Sequence, residues 1–198
     1  MSKTLGNVIT PKQLIDKFGV DATRYLLLSA FPFGEDGDFD MNKLVEKYNA
    51  DLANGVGNLV SRFIKVIENR RFPLAKTPAI ELPSEFTHAL DTLDFYGALR
   101  VVNEYVKKAD QSISIDKIWT YRTNEQAVIE HLAVSSVVSM EPIIDKTPEP
   151  NRDLWVLLRI AGLLRPFMPN TAAKIEQAIH VKNNELIVTS IGTLFQRL

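Results

Sequence analysis

Cysteine is absent from this chain of 198 residues, and only three histidines occur, at His88, His131 and His180. The absence of cysteine excludes a disulfide framework, a thiolate zinc site and a cysteine nucleophile. The three histidines lie too far apart in the sequence to match the usual spacing of metal ligands, so we expect no bound metal. Any chemistry in this chain must therefore come from other residue types.

The chain also has no long hydrophobic run and no marked excess of charge. No apolar run approaches the roughly 18 residues that a membrane-spanning helix needs. The opening residues, MSKTLGNVIT, lack the apolar stretch of a signal peptide. We therefore expect a cytoplasmic protein with no membrane partner. The 23 Lys and Arg residues nearly balance the 24 Asp and Glu residues, for a formal net charge of −1. This balance argues against coating nucleic acid by charge alone, but it allows recognition of a few unstacked bases.

Hydrophobic periodicity predicts a mostly helical protein. Between residue 41 and about residue 71, apolar side chains recur every three or four positions, at Val45, Tyr48, Leu52, Val56, Leu59, Phe63 and Ile67. Similar patterns predict further helices over residues 84–108, 124–140, 151–164 and 169–179. Residues 109–123 are predicted as a loop or short helix, and the tail from Val181 as a short strand or a segment that wraps the bundle. Five substantial helices without a run of strands indicate an all-α helical bundle.

Residues 1–40 differ from the rest because glycines and prolines divide them into short segments. Thr10 and Pro11 are predicted as the N-cap and first residue of a short helix, and Asp21 as the cap of a second one. The acidic stretch that follows, FPFGEDGDFD, is typical of turns. We expect two units, a short segment over residues 1–40 and a helical domain over residues 41–198.

The long predicted helix also has a polar face, which comprises Lys47, Asp51, Asn54, Asn58, Arg62, Lys65 and Asn69. Asn58 and Arg62 are four residues apart, so their side chains point the same way. An amide and a guanidinium can bind the edge of a splayed base, and an exposed indole such as that of Trp119 can stack on one. Gly55 and Gly57 lie mid-helix, where each costs roughly 1 kcal/mol relative to Ala. This placement favours a close approach by another backbone or a ligand, although simple irregularity is an alternative.

The opening residues MSKTLGN offer a second candidate site. A glycine-containing loop with Ser2, Lys3 and Thr4 presents one ammonium group and two hydroxyls to a polyphosphate. In nucleotidyl transfer, such a cation offsets the charge that develops on the leaving pyrophosphate. On its own the pattern is weak, because a lysine near a terminus is usually a solvated charge.

Residues 1–28 resemble the signature loop of class I aminoacyl-tRNA synthetases, Lys-Met-Ser-Lys-Ser/Thr followed by Leu-Gly-Asn, and the segment after it. The leucine, isoleucine, valine and cysteine enzymes share much of this stretch. FPFGEDGDF at residues 31–39 and YNADLANGVGNLVSR at residues 48–62 narrow the resemblance to the methionyl-tRNA synthetases. Later segments match that family in the same order: NEYV at 103–106, Trp119, LLRPFMPNTAAKI at 163–175 and LFQRL at 194–198.

The resemblance implies a methionine-tRNA ligase, which activates methionine with ATP and Mg²⁺ and transfers it to tRNA. Met1, Ser2, Lys3 and Thr4 then correspond to the signature loop. Lys3 corresponds to its second lysine, a catalytic residue that stabilises the ATP phosphates, and Ser2 is expected to bind ATP beside it.

The resemblance also implies an anticodon site for tRNA(Met). Asn58 and Arg62 match positions that contact anticodon bases, and Trp119 matches the tryptophan on which the first anticodon base stacks. This chain has Ile118 where the family has a proline, which leaves the pose of Trp119 less fixed. The anticodon-binding domain of the family is a helical bundle, and a short stem-contact segment precedes it.

The chain begins inside the signature loop, so we expect a C-terminal part of the enzyme without its catalytic domain. Such a part would be inactive alone, would bind no metal, and would work with a separate catalytic chain if one exists. Two alternatives remain open: a stand-alone tRNA-binding module that acts in trans, and a helical interaction domain without tRNA affinity. A different class I synthetase is a further alternative, against which the GEDGDF segment and the Asn58, Arg62 and Trp119 set argue.

Overall fold

The computed structural model describes residues 9–32, 34–35, 39–68, 71–73, 81–116, 152–183 and 185–198. The α-helices within these ranges are α1 Pro11–Phe18, α2 Val20–Leu28, α3 Met41–Lys47, α4 Asn58–Ile67, α5 Ser84–Asp91, α6 Phe95–Asp116, α7 Arg152–Leu164 and α8 Pro169–Gln177. A π-helical segment, Tyr48–Gly57, joins α3 to α4, and the strands are β1 Arg71–Pro73, β2 Ile179–Lys182 and β3 Glu185–Val188. The described residues are mostly helical, as the sequence predicts. The helix predicted over residues 124–140 lies outside them.

The long predicted helix is present over residues 41–67, a few residues shorter than expected. Its N-cap is Asp40, whose carboxylate accepts hydrogen bonds from the amides of Asn42 at 2.8 Å and Lys43 at 3.1 Å. The predicted apolar side chains are buried, apart from the half-buried Val45. Burial of this one face against the other helices explains why the sequence pattern is so regular.

The closest neighbours of the glycines in the long helix are carbonyl oxygens of the same π-helical segment, not another backbone or a ligand. A Cβ atom added to Gly57 would lie 3.0 Å from the carbonyl oxygen of Leu52 and 3.5 Å from the ring of Phe195. At Gly55 the nearest atom would be the carbonyl oxygen of Ala50, at 3.3 Å. The tightest constraint at Gly57 is therefore the carbonyl oxygen of Leu52, while the Phe195 ring of the C-terminal segment lies at an ordinary contact distance.

The expectation of an all-α class was wrong in one respect, because the three strands form a small antiparallel sheet in the order β1-β3-β2. Leu186 of β3 faces Phe72 of β1 and Val181 of β2 in the register. The strand predicted in the tail is present, whereas no strand was predicted at β1. Strands of three or four residues are too short for their alternation to be distinguished from loop sequence.

The helix predicted over residues 84–108 is divided into α5 and α6. Leu93, inside the predicted helix, has a φ of 60° and is 60% exposed. Asp94 then begins α6 by accepting a hydrogen bond from the amide of Gly97 at 2.8 Å. Asp94 as an N-cap residue is the sequence signal for the start of α6. At the end of α5, the hydroxyl of Thr92 donates a hydrogen bond to the carbonyl oxygen of His88 at 2.9 Å. Helix α6 continues to Asp116, so the first part of the segment predicted as a loop or short helix over 109–123 is helical.

One contiguous core joins α4, α6, α7 and α8 with the sheet and with α1 and α2. Phe167, at the corner between α7 and α8, meets Phe86 at 6.3 Å and Phe95 at 6.4 Å between ring centroids, both nearly edge-on. Edge-to-face pairs of this kind add to the hydrophobic stabilisation of the core. Among the described helices, none has the length and hydropathy to cross a membrane.

The capping prediction for α1 is confirmed. Thr10 accepts a hydrogen bond from the amide of Gln13 at 3.3 Å, and the Gln13 side chain accepts one from the amide of Thr10 at 2.8 Å. This reciprocal capping box, with Pro11 in the first turn, fixes the start of a helix that is only eight residues long.

The capping prediction for Asp21 was wrong, because Asp21 caps a different helix. Helix α2 begins after Gly19, and Asp21 lies in its first turn with 8% exposure. Its carboxylate accepts hydrogen bonds from the amide of Thr171 at 2.6 Å, the hydroxyl of Thr171 at 2.9 Å and the side-chain amide of Asn170 at 3.0 Å. Helix α8 has no side-chain cap of its own from Met168. Asp21 therefore provides that cap from a distant part of the sequence.

Arg24, one turn after Asp21, binds the other side of the same corner. Its Nε donates to the carbonyl oxygen of Phe167 and its Nη2 to that of Pro166, both at 3.0 Å. These carbonyls follow the end of α7, where backbone acceptors lack helical partners. An acidic group at the start of α8 and a basic group at the end of α7 both match the helix dipoles.

Tyr25 connects α2 to two further helical elements. Its hydroxyl donates to the carboxylate of Asp51 at 2.9 Å. The side-chain amide of Asn103 also lies 2.9 Å from the hydroxyl oxygen of Tyr25. A hydroxyl carries one hydrogen, so the second contact is satisfied when the amide of Asn103 is the donor. Lys47 pairs with Asp51 at 2.8 Å. Burial raises the pKa of Tyr25 far above its ordinary value, and the Asp51 carboxylate adds to this rise.

We expect Asp21→Asn to lower the free energy of unfolding by about 1–3 kcal/mol, because the amide cannot accept all three hydrogen bonds of the buried carboxylate. Urea denaturation monitored by circular dichroism measures this change. Asp16→Asn, at an exposed position of α1, removes the same charge and is the control. Equal midpoints for the two variants would contradict the capping role.

We expect the stability advantage of the wild type over Tyr25→Phe to shrink at high pH. The folded protein holds Tyr25 protonated, so its contribution is complete below the unfolded pKa of about 10 and declines above it. The difference in unfolding free energy should be about 1 kcal/mol smaller at about pH 10.5 than at about pH 7.5. Urea denaturation at both values measures it, with Tyr96→Phe, at a half-buried position of α6, as the control. A constant difference would argue against a protonated Tyr25 in the folded state.

Candidate nucleic-acid interface

Helix α4 presents two of the predicted base-reading residues on one face. Its buried apolar side chains include Leu59, Val60 and Phe63, each at most 1% exposed. Asn58 is exposed, and the side chain of Arg62 is 30% exposed. Because the buried face of α4 is fixed by the core, both polar side chains stay at the surface, one turn apart.

Arg62 forms an ion pair with Asp110 of α6, in which Nη1 donates to Oδ1. The Asp110 side chain is 44% exposed, so the pair lies at the surface of the groove between the two helices. Asp110 was not among the site residues predicted from the sequence. A pairing signal was absent because the two residues are 48 positions apart and belong to separate helices.

The rest of the polar face has mainly structural contacts. Asp51 binds Tyr25 and Lys47, and Asn54 accepts a hydrogen bond from Nε of Arg197 at 3.0 Å. The neighbouring Asn49 pairs with the backbone of Leu198, donating to its carbonyl at 2.9 Å and accepting from its amide at 3.0 Å. The polar face therefore divides into a first part that holds other segments of the chain and a second part, from Asn58 to Lys65, at the surface, while Asn69 lies outside the described residues.

The two helices joined by the pair of Arg62 and Asp110 carry exposed charges of both signs. Lys65 is exposed one turn after Ser61 on α4, while Lys107 and Glu104 are exposed on α6. The surface is therefore not a strongly basic stripe of the kind that binds phosphates without regard to sequence. Recognition here would depend on contacts to a few bases rather than on the summed charge.

The remaining predicted site residues lie outside the described ranges. These residues are Met1, Ser2, Lys3 and Thr4 of the signature loop, Trp119, and the departing Ile118. The expected ATP contacts therefore have no described geometry. Within the ranges that are described, no cluster of three or more His, Cys, Asp or Glu side chains could hold a metal ion.

An open groove of about 310 Å³ lies between the end of α8 and the segment after β3, with Lys174, Thr189 and Thr193 among its lining residues. It contains none of the residues that the sequence predicts as a site. Its mixed and largely exposed lining gives it no chemistry beyond that of an ordinary surface depression.

Comparison with known proteins gives a consistent result. A family profile described as "tRNA synthetases class I (M)" matches residues 1–64. The methionine--tRNA ligase of Caldanaerobacter subterraneus subsp. tengcongensis is 33% identical over 184 residues, which cover 91% of this chain and 28% of the relative. That of Listeria innocua serovar 6a is 36% identical over 180 residues, covering 88% of this chain and 26% of the relative.

Solved structures give the same family. Mycobacterium tuberculosis methionyl-tRNA synthetase in its apo form superposes with a TM-score of 0.69 at 24% identity, covering 96% of this chain and 41% of that one. The same enzyme bound by methionyl-adenylate gives a TM-score of 0.66 at 25% identity, covering 90% of this chain and 35% of that one.

The chain spans roughly 30% of the length of the curated relatives that it matches, between 26% and 32%. The match to those relatives runs along nearly all of the chain, and it includes both the residues that resemble the signature loop and the helices behind them. The chain belongs to the methionyl-tRNA synthetase family of class I aminoacyl-tRNA synthetases.

Proposed function

We propose that this chain recognises the anticodon of tRNA(Met) as part of a methionine-tRNA ligase. The complete enzyme would activate methionine with ATP and transfer it to tRNA. Support for the enzyme comes from relatives that are named methionine--tRNA ligases, and from a relative solved with methionyl-adenylate. Residues 41–198 would form the anticodon-binding domain, and residues 1–40 would contact the stem of the tRNA.

The observation that carries this proposal is the exposure of Asn58 beside Arg62 on a helix whose other face is locked in the core. An asparagine amide both donates and accepts, and a guanidinium offers five N–H donors in one plane. Together they match the mixed donors and acceptors on the edge of an unstacked base. A rigid helix also holds such groups with little loss of entropy on binding.

The net charge of the chain agrees with recognition of RNA bases rather than binding to the phosphate backbone of RNA. With a formal net charge of −1, the chain neutralises few phosphates, so its affinity should depend weakly on salt. Discrimination must then come from base-edge contacts and from stacking. We propose Trp119 as the stacking platform for the first anticodon base, on the resemblance alone. On the same basis, we propose that Lys3 and Ser2 bind ATP phosphates.

We expect Arg62→Ala to weaken binding of an anticodon stem-loop with the sequence CAU by about tenfold or more, because one charged base contact contributes about 1–3 kcal/mol. Asn58→Ala should weaken it in the same direction. Fluorescence anisotropy of a labelled stem-loop measures the dissociation constants. A stem-loop with its first anticodon base changed should bind the wild type more weakly than CAU does.

The matched control is Lys65→Ala, which removes the same charge from an exposed position on the same helix. We expect it to lower affinity slightly and equally for both stem-loops. Equal effects of Lys65→Ala and Arg62→Ala would mean that Arg62 contributes charge alone. Failure of the wild type to bind either stem-loop would instead favour a helical interaction domain without tRNA affinity.

We expect Trp119→Phe to remove most of the fluorescence quenching caused by the CAU stem-loop and to weaken its binding, because stacking on the indole contributes about 1–3 kcal/mol per base. The other tryptophan, Trp155, is half-buried in α7 and gives the residual signal. Quenching of equal size in the variant would show that Trp155 reports the binding and would count against stacking on Trp119.

A further inference from the structure

The ion pair between Arg62 and Asp110 joins α4 to α6 beside the proposed site. Both side chains are partly exposed, at 30% and 44%. Ion pairs at such exposure contribute little to stability, since solvent screens them and the two side chains lose entropy. The pair is therefore not explained by its contribution to stability. Its position next to Asn58 points instead to a role in base recognition.

The contact determines how the guanidinium is oriented. A guanidinium is planar and carries five N–H donors in a fixed fork. An acceptor on Nη1 restricts the rotation of this plane about the side chain, yet a single carboxylate oxygen cannot occupy the entire fork. An arginine without such an acceptor would search many rotamers and would lose that freedom on binding RNA.

The partner helix is itself held in place. On the long helix Asp51 precedes Arg62, and on α6 Asn103 precedes Asp110, so the two cross-links occur in the same order along both helices. Tyr25 bridges Asp51 and Asn103 at 2.9 Å on each side. Helix α6 thus presents Asp110 from a backbone whose distance to the long helix is fixed about two turns earlier on α6 and about three turns earlier on the long helix.

We infer that Asp110 is a positioning residue for anticodon recognition, which holds the guanidinium of Arg62 in the orientation that meets the base. This inference rests on the proposed function, because Asp110 acts on RNA only through Arg62. It adds to that function a residue on a second helix. The anticodon site then comprises a base-reading helix, α4, and a supporting helix, α6.

The test is a double-mutant cycle on the full chain with the CAU stem-loop as the probe. We expect Asp110→Asn to bind the stem-loop about 2- to 10-fold more weakly than Glu104→Gln, since Arg62 without this acceptor loses more rotamer freedom on binding. Glu104 is exposed on the same helix and loses the same charge, so the comparison cancels the general gain of positive charge. Asp110→Glu should recover most of the affinity.

The background with Arg62→Ala separates positioning from a structural effect. With Arg62 absent, Asp110→Asn and Glu104→Gln should bind equally. A deficit of the same size in that background would show that Asp110 supports the fold rather than Arg62. Tighter binding by Asp110→Asn than by Glu104→Gln would show that the carboxylate competes with RNA. Either result overturns the inference while leaving the role of Arg62 intact.

The proposed function fails in a different way. If the wild type does not bind the stem-loop, both proposals are overturned together. If the wild type binds and Arg62→Ala weakens binding, but Asp110→Asn matches Glu104→Gln, then only the inference on Asp110 is overturned. Melting temperatures of all variants, measured by circular dichroism, verify that each protein is folded at the temperature of the titration.

Discussion

The buried carboxylate of Asp21 fixes α2 to the corner between α7 and α8. It replaces the missing side-chain cap of α8, and Arg24 binds the carbonyls that follow α7. Two helix ends that meet at one corner are therefore satisfied by one short helix, α2. Because backbone groups at helix ends require partners when they are buried, this corner and α2 depend on each other.

The sequence predicted those features that depend on neighbouring residues. The capping box of Thr10 and Gln13, the start of α8 at Pro169, and the buried stripe of the long helix all follow from patterns a few residues long. Asp21 was assigned to the wrong helix because its partners are about 150 positions away. The break at Leu93 was missed because a left-handed leucine has no signal of its own in a single sequence.

The candidate site shows the same division. The spacing of Asn58 and Arg62 indicated that they share a face, and the structure has both at the surface of α4. Asp110 could not be found from spacing, since only the packing of α4 against α6 brings it to Arg62. The polar face looked uniform in the sequence, yet Asp51 and Asn54 hold Tyr25 and Arg197. Periodicity identifies which side chains avoid the core, but not which of them have partners.

The small sheet has a consequence for the behaviour of the chain in concentrated solution. Its most apolar strand, β3, lies in the centre and is paired on both sides. The two edges are only three and four residues long, and they include Pro73, which has no N–H to donate, and the exposed Lys182. Short edges that contain proline or lysine resist pairing with another strand. The most apolar strand of the sheet, β3, is thus shielded, and this sheet gives a second chain little free backbone on which to add a strand.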